Sequence, residues 1–119
     1  MMIAIPAMGS LGFADRAAEH FGRCASYVLM NEEGELVRVL ENESVHGGGF
    51  GFPAEFLKRH GVDVLICKGL GPRALELCSH LNIKVYVLDG DLVSDLFVKW
   101  QKGPRVTATL DNVCEEHRK

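Results

Sequence analysis

The sequence predicts an α/β fold in three layers, a mixed sheet of about five strands with one antiparallel member and helices on both sides. Three observations carry this. Residues 62–74 read V-D-V-L-I-C-K-G-L-G-P-R-A, where Val64, Leu65, Ile66 and Cys67 form an unbroken apolar run of the kind buried on both faces of a parallel sheet. Gly69-Leu70-Gly71 then breaks that strand, and Pro72 at a first helical position launches a helix. Finally, residues 26–31 and 36–41 are strands joined by Glu32-Glu33-Gly34-Glu35, an antiparallel hairpin that makes the sheet mixed.

Taken in order, residues 2–5 are a short apolar strand stopped by Pro6, followed by a loop over residues 7–13 that carries Gly9, Ser10 and Gly12. Asp15 is placed to cap a short helix through His20, with Ala17, Ala18 and Phe21 turned inward. In the second hairpin strand Val37 and Val39 alternate with Leu36, Arg38 and Leu40, so one face is partly wet. Residues 42–51 form a glycine-rich connection without hydrophobic periodicity. Pro53 opens a helix with Phe56 and Leu57 inward, and His60-Gly61 ends it. The helix from Pro72 turns Ala74, Leu75, Cys78 and Leu81 to the sheet. A last core strand spans residues 84–88. Asp91 then caps a helix with the stripe Leu92, Val93, Leu96, Phe97 and Trp100, stopped by Gly103-Pro104. Residues 105–110 read as an edge strand or a strap, and residues 111–119 as a polar tail. The organisation is one α/β domain over residues 1–103 and a partly disordered extension over residues 104–119.

Composition narrows the function. A chain of 119 residues holds one core, and 47% hydrophobic with 24% charged residues is ordinary for a folded domain. A formal charge of −3 argues against a dedicated partner for nucleic acid or an anionic membrane. The N-terminus M-M-I-A-I-P lacks the basic region and apolar core of a signal peptide, and no stretch approaches membrane-spanning length. Cys24, Cys67, Cys78 and Cys114 form no C-x-x-C pair, so neither a disulfide framework nor a closed zinc site is written in the spacing. A reducing cytoplasm is the simplest setting.

Four clusters carry chemistry. Gly69-x-Gly71-x-x-Ala74 leaves unpaired backbone N–H groups at a helix start, suited to an anion, and Asp89 completes the pattern of a dinucleotide fingerprint. Too little chain follows for a second nucleotide half-site, and the glycines also suit a plain tight turn. His20-Phe21-Gly22-Arg23-Cys24 offers soft metal ligands beside a guanidinium, or merely a helix end. His46 before three glycines puts an imidazole on a loop, able to cover a ligand or simply solvated. Cys114 and His117 offer a thiolate and an imidazole in the tail, two ligands that do not complete a metal site by themselves. The first strand has no carboxylates for a two-metal nuclease, and neither G-x-S-x-G nor H-E-x-x-H occurs. No nucleophile has a base beside it, so the expectation is a protein that is not an enzyme.

With H-F-G-R at residues 20–23, V-H-G at 45–47 and G-x-G-x-R-A at 69–74, the chain resembles the dinitrogenase iron–molybdenum cofactor biosynthesis family, over residues 2–103. The resemblance implies a ribonuclease H-like fold without nuclease carboxylates and a role in binding, storing or delivering an iron–molybdenum or related metal–sulfur cluster. It also implies one cleft lined by His20, Phe21, Gly22 and Arg23, by His46 and Gly47, and by Gly69, Gly71 and Arg73. Direct metal ligands would come from His20 or His46, with Cys24, Cys114 and His117 as further candidates. Partners would be the cluster itself and the proteins that build or accept it. Two other readings stay open: a nucleotide-binding module using Gly69-x-Gly71 with Asp89, and an adaptor that docks another protein.

Overall fold

The computed structural model describes residues 1–42 and 53–108. Five strands, β1 (Ile3–Ala7), β2 (Ser26–Met30), β3 (Leu36–Glu41), β4 (Val64–Cys67) and β5 (Lys84–Val87), form one sheet in the order β3-β2-β1-β4-β5. The β1–β4 and β4–β5 pairs are parallel, whereas β2 is antiparallel to both β1 and β3, so β2 is the one reversed strand. The expected mixed sheet and its hairpin are therefore present.

Strand β1 does not stop at Pro6; it runs through to Ala7, pairing Pro6 with Tyr27. The Pro6 carbonyl accepts from the Ala18 N–H at 2.9 Å, on the side away from β2. A strand residue aims its N–H and C=O to the same side, so the missing proline N–H removes no bond from the β1–β2 ladder.

Helices α1 (Pro53–Arg59) and α2 (Pro72–His80) cover one face of the sheet, and α3 (Val93–Lys102) covers the other. The period-2 alternation of β1, β2 and β4 divides the interior accordingly. Ala4, Tyr27, Leu29 and Leu65 meet Phe56, Leu57, Leu75 and Cys78 on one side. On the other, Ile3, Ile5, Val28, Met30 and Ile66 meet Val93, Leu96, Phe97 and Trp100. Both faces of the central strands are thus apolar, which is why Val64–Cys67 reads as an unbroken run.

Several local expectations give way to non-local bonds. Residues 15–20 are not a helix. A short 3-10 turn at Gly12–Ala14 is followed by extended chain, with isolated bridges pairing Ala7 with Ala17 and Arg16 with Leu92. Ala17, Ala18 and Phe21 are buried as expected, but by those bridges rather than by a helical face. Asp15 starts no helix but closes the 3-10 turn through its N–H; its buried carboxylate accepts from the backbone N–H groups of Gly9, Leu11 and Arg16 at 2.8–3.0 Å and so folds the loop around itself. Asp91 likewise starts no helix. Helix α3 begins after Leu92, which has no side-chain oxygen and is partly exposed rather than in the apolar stripe, and Asp95 reaches back to accept from the Leu92 N–H at 3.0 Å.

On β3 the register shifts so that Met30 faces Leu36 and Val37 is left as a bulge. Leu36, Val37 and Arg38 are all exposed there, so the simple alternation expected of this strand fails at its bulge. A bulge also spoils an edge for pairing with another chain. At the opposite edge, residues 105–108 form a strap, not a strand: Arg105 stacks on the Trp100 ring at 4.0 Å and the Ala108 N–H donates to Val85 at 2.7 Å. The chain thereby passes from the α3 face round β5 to the α2 face. The glycine-rich connection after Asn42 and the tail from residue 109 lie outside the described residues.

Leu96 is fully buried, so Leu96→Ala is expected to lower unfolding free energy by about 2–5 kcal/mol, whereas Val106→Ala on the exposed strap stays within about 0.5 kcal/mol. Urea denaturation midpoints at unchanged m-value check both.

Candidate functional site

The parallel strands β1, β4 and β5 all end at one rim of the sheet, and their connections converge there. The turn after β4 is held against residues 19–23 by a hydrogen bond of 2.9 Å from the Phe21 N–H to the Gly69 carbonyl. The approach is close: a Cβ on Gly69 would stand 3.2 Å from the Glu19 carbonyl oxygen. Beside it, the Lys68 ammonium pairs with the Glu19 carboxylate at 2.9 Å. That pair, reinforced by the charges of Asp89 and Asp91, holds the Lys68 pKa above its usual value. Two segments separated by almost fifty residues are therefore bound by one backbone bond and one ion pair.

Within the first segment the Arg23 N–H donates to the His20 carbonyl at 3.3 Å, closing a tight turn. Gly22 makes that turn possible with φ +96°, a left-handed conformation costly for any residue with a Cβ. Phe21 points inward, its ring 5.8 Å from Tyr27, while His20 and Arg23 on either side are exposed. The sequence motif thus resolves into a buried anchor flanked by an imidazole and a guanidinium in solvent.

Gly22 is also a meeting point. The buried Asn42 carboxamide donates to the carbonyls of Gly22 at 3.2 Å and Cys24 at 2.9 Å. A Cβ on Gly22 would lie 3.1 Å from the Pro53 ring. Asn42 and Pro53, the described residues on either side of residues 43–52, thus both lie against Gly22. His46 and Gly47 themselves lie outside the described residues, as do Cys114 and His117.

Gly71 and Arg73 are exposed in the first turn of α2, where no side chain caps the helix. Among the described residues Arg73 pairs with no carboxylate. Between α1 and α2 runs a groove of about 540 Å³ walled by Phe21, Pro53 and Ala54 on one side and by Ala74 and Leu77 on the other, with Arg73 among its lining residues. The rim therefore brings together Phe21, Gly22, Gly69, Gly71 and Arg73, with His20 and Arg23 on the turn that Phe21 anchors.

The cysteines are a different matter. Burial pushes the Cys24 thiol up despite hydrogen bonds around it, including one from Asn42 to its sulfur at 3.6 Å. Cys67 and Cys78 are pushed up to about 12, both chiefly by burial, with Cys67 raised further by its neighbour Cys78. Core thiols of this kind are protonated and poor ligands. Among the described residues no three His, Cys, Asp or Glu side chains gather to hold a metal ion. Among the described residues the rim exposes the guanidinium groups of Arg23 and Arg73 and the imidazole of His20, groups able to meet an anion, beside the Glu19, Asp89 and Asp91 carboxylates gathered around Lys68.

Glu19, Lys68 and Asn42 were not singled out from the sequence. Glu19 and Lys68 adjoin the two motifs, a signal that a charge-pair reading would have used; Asn42 gave none, since its partners lie 18 and 20 residues away. Asp89, proposed for a ribose, accepts from the adjacent Gly90 N–H at 3.0 Å.

Residues 1–103 match the sequence model of the family described as dinitrogenase iron-molybdenum cofactor. An uncharacterized protein of Methanocaldococcus jannaschii is 32% identical over 92 residues, covering 72% of this chain and 73% of its own. A Thermotoga protein solved by NMR and named as a candidate NifB protein superposes with a TM-score of 0.72 at 26% identity, over 87% of this chain and 89% of that one. The apo orange protein of Desulfovibrio gigas shares the fold, with a TM-score of 0.73 at 23% identity over 91% and 96% of the two chains.

The raised thiols fix two outcomes. In the native protein at pH 8, alkylation followed by peptide mapping leaves Cys24, Cys67 and Cys78 unmodified, and urea exposes all three. In the unfolded chain Cys67 and Cys78 ionise near their ordinary 9.0 while the fold keeps them protonated to about 12, so the folded state is favoured fully below pH 9 and loses that stability as pH rises toward 12. Denaturant midpoints measured across that range check the sign, which Cys67→Ala combined with Cys78→Ala should flatten.

Proposed function

The chain belongs to the dinitrogenase iron–molybdenum cofactor family, and from that membership we propose that it binds and hands on an iron–molybdenum or related metal–sulfur cluster without catalysing a reaction on it. The observation that carries this reading is the Phe21–Gly69 hydrogen bond, which joins the two motifs of the resemblance at one rim. The strand order, with β2 the one reversed strand, supports the ribonuclease H-like description of the fold, and β1, Ile3–Ala7, has no carboxylate to serve nuclease chemistry.

The cluster here is cargo. A metal–sulfur cluster with net negative charge is stabilised by fixed N–H donors and guanidinium groups near its sulfides. Arg23 and Arg73 supply charge, the uncapped first turn of α2 supplies N–H donors, and His20 supplies an exchangeable imidazole ligand. Few direct ligands suit a carrier, because each metal–ligand bond must break on delivery. The recipients are proteins that assemble or accept the cluster. The three described cysteines are free, in keeping with a reducing compartment such as the cytoplasm, and no helix among the described residues is long and apolar enough to cross a membrane.

Anaerobic incubation with an iron–molybdenum–sulfur cluster donor, desalting and metal analysis test the proposal. Near-stoichiometric metal is expected, reduced about tenfold in affinity by Arg73→Ala or His20→Ala, the scale of losing one charge-assisted contact. No retained metal under any redox condition would end the reading.

A further inference from the structure

The groove between α1 and α2 does not suit an inorganic cluster along its length. Its walls are Phe21, Pro53, Ala54, Ala74 and Leu77, and its polar groups come from α2 at Arg73, Glu76 and His80. Arg73 and His80 are seven residues apart on α2, so the groove extends for about 10 Å along that helix. A volume of about 540 Å³ lies within the range of small-molecule sites, and an apolar wall with a few charged or polar groups is their usual chemistry.

We propose that this groove binds a small amphipathic monoanion, a carboxylate or sulfonate on an apolar or aromatic body. The charged head sits at Arg73, which pairs with no carboxylate among the described residues and adjoins the uncapped first turn of α2. The body lies along Ala74 and Leu77 against Phe21 and Ala54, where burying it removes apolar surface from water. Glu76, one turn beyond Arg73 and exposed, repels a second negative charge midway, so the ligand is charged at one end only. This site goes beyond the metal-cluster reading and does not rest on it: a bare sulfide or oxo cluster gains nothing from five apolar walls.

The test uses metal-free, full-length ¹⁵N-labelled protein titrated with naphthalene-2-sulfonate, with sodium sulfate and the neutral 2-naphthalenemethanol as comparisons. The sulfonate should give saturable shifts of one stoichiometric site at the amides of Phe21, Ala54, Ala74 and Leu77. Sulfate alone should give none there, and the neutral naphthalene should bind about tenfold more weakly, the scale of one charge-assisted contact. Arg73→Gln, at an exposed position, should lower sulfonate affinity to that of the neutral compound, and Ala74→Met should fill the groove and weaken both. Shifts that do not saturate, shifts centred elsewhere, or equal affinity for charged and neutral naphthalenes would overturn the proposal. Because no metal is present, that failure leaves cluster binding untouched, just as failure to retain metal leaves the groove untouched.

Discussion

A single close approach of two backbones governs the candidate site. Phe21 donates its N–H to the Gly69 carbonyl at 2.9 Å, at a separation where a Cβ on Gly69 would meet the Glu19 carbonyl. Tighter packing at that point needs a residue without a side chain, and the turn after β4 supplies it. The Lys68–Glu19 ion pair at 2.9 Å closes the same junction from its solvent side, where it adds modest energy but fixes orientation. Without this contact, His20 and Arg23 would have no defined relation to the first turn of α2.

The remainder of the fold makes that junction rigid on one side and spare on the other. Two apolar cores clamp β1 and β4 from both faces, so the ends of these strands are fixed relative to one another. The buried Asp15 carboxylate, bonded to three backbone N–H groups, shapes the connection that leaves β1. Asn42 and Pro53 also pack against Gly22. His20, Arg23 and Arg73 remain exposed at the rim, while the described thiols, Cys24, Cys67 and Cys78, are withdrawn into the interior.

How far this could be read in advance depended on the range of the forces involved. The central strand, its glycine turn and the helix from Pro72 were legible because burial on both faces and a fixed proline φ leave local marks at Val64–Cys67 and Pro72. The hairpin was legible from its turn, Glu32-Glu33-Gly34-Glu35 between two strand-forming runs. Residues 15–20 were not: Ala17, Ala18 and Phe21 satisfy helical spacing, yet their backbone bonds go to Pro6, Asp91 and Gly69, partners that no local window contains. Likewise Asp15 next to an apolar pattern looks like a cap, and only the tertiary fold reveals that it gathers a loop instead. The motifs H-F-G-R and G-x-G-x-R-A mark two segments that the structure holds side by side; the ion pair and the asparagine that position them were silent. The apolar groove was silent too, since Ala74 reads as an ordinary sheet-facing residue of α2 and Leu77 falls outside the stripe.

The central claim is that residues 20–23 and 69–73 act as one binding surface for a metal–sulfur anion. Amide spectra recorded anaerobically before and after loading with a paramagnetic iron–molybdenum–sulfur cluster test it most directly, because line broadening marks whatever lies near the metal. Broadening that grows together at Phe21, Gly22, Arg23, Gly69 and Arg73, and that weakens at all five together when a Cβ in Gly69→Ala displaces the Glu19 carbonyl by a few tenths of an ångström, is the predicted result. Broadening confined to one of the two segments, or centred on another part of the sheet, would contradict it.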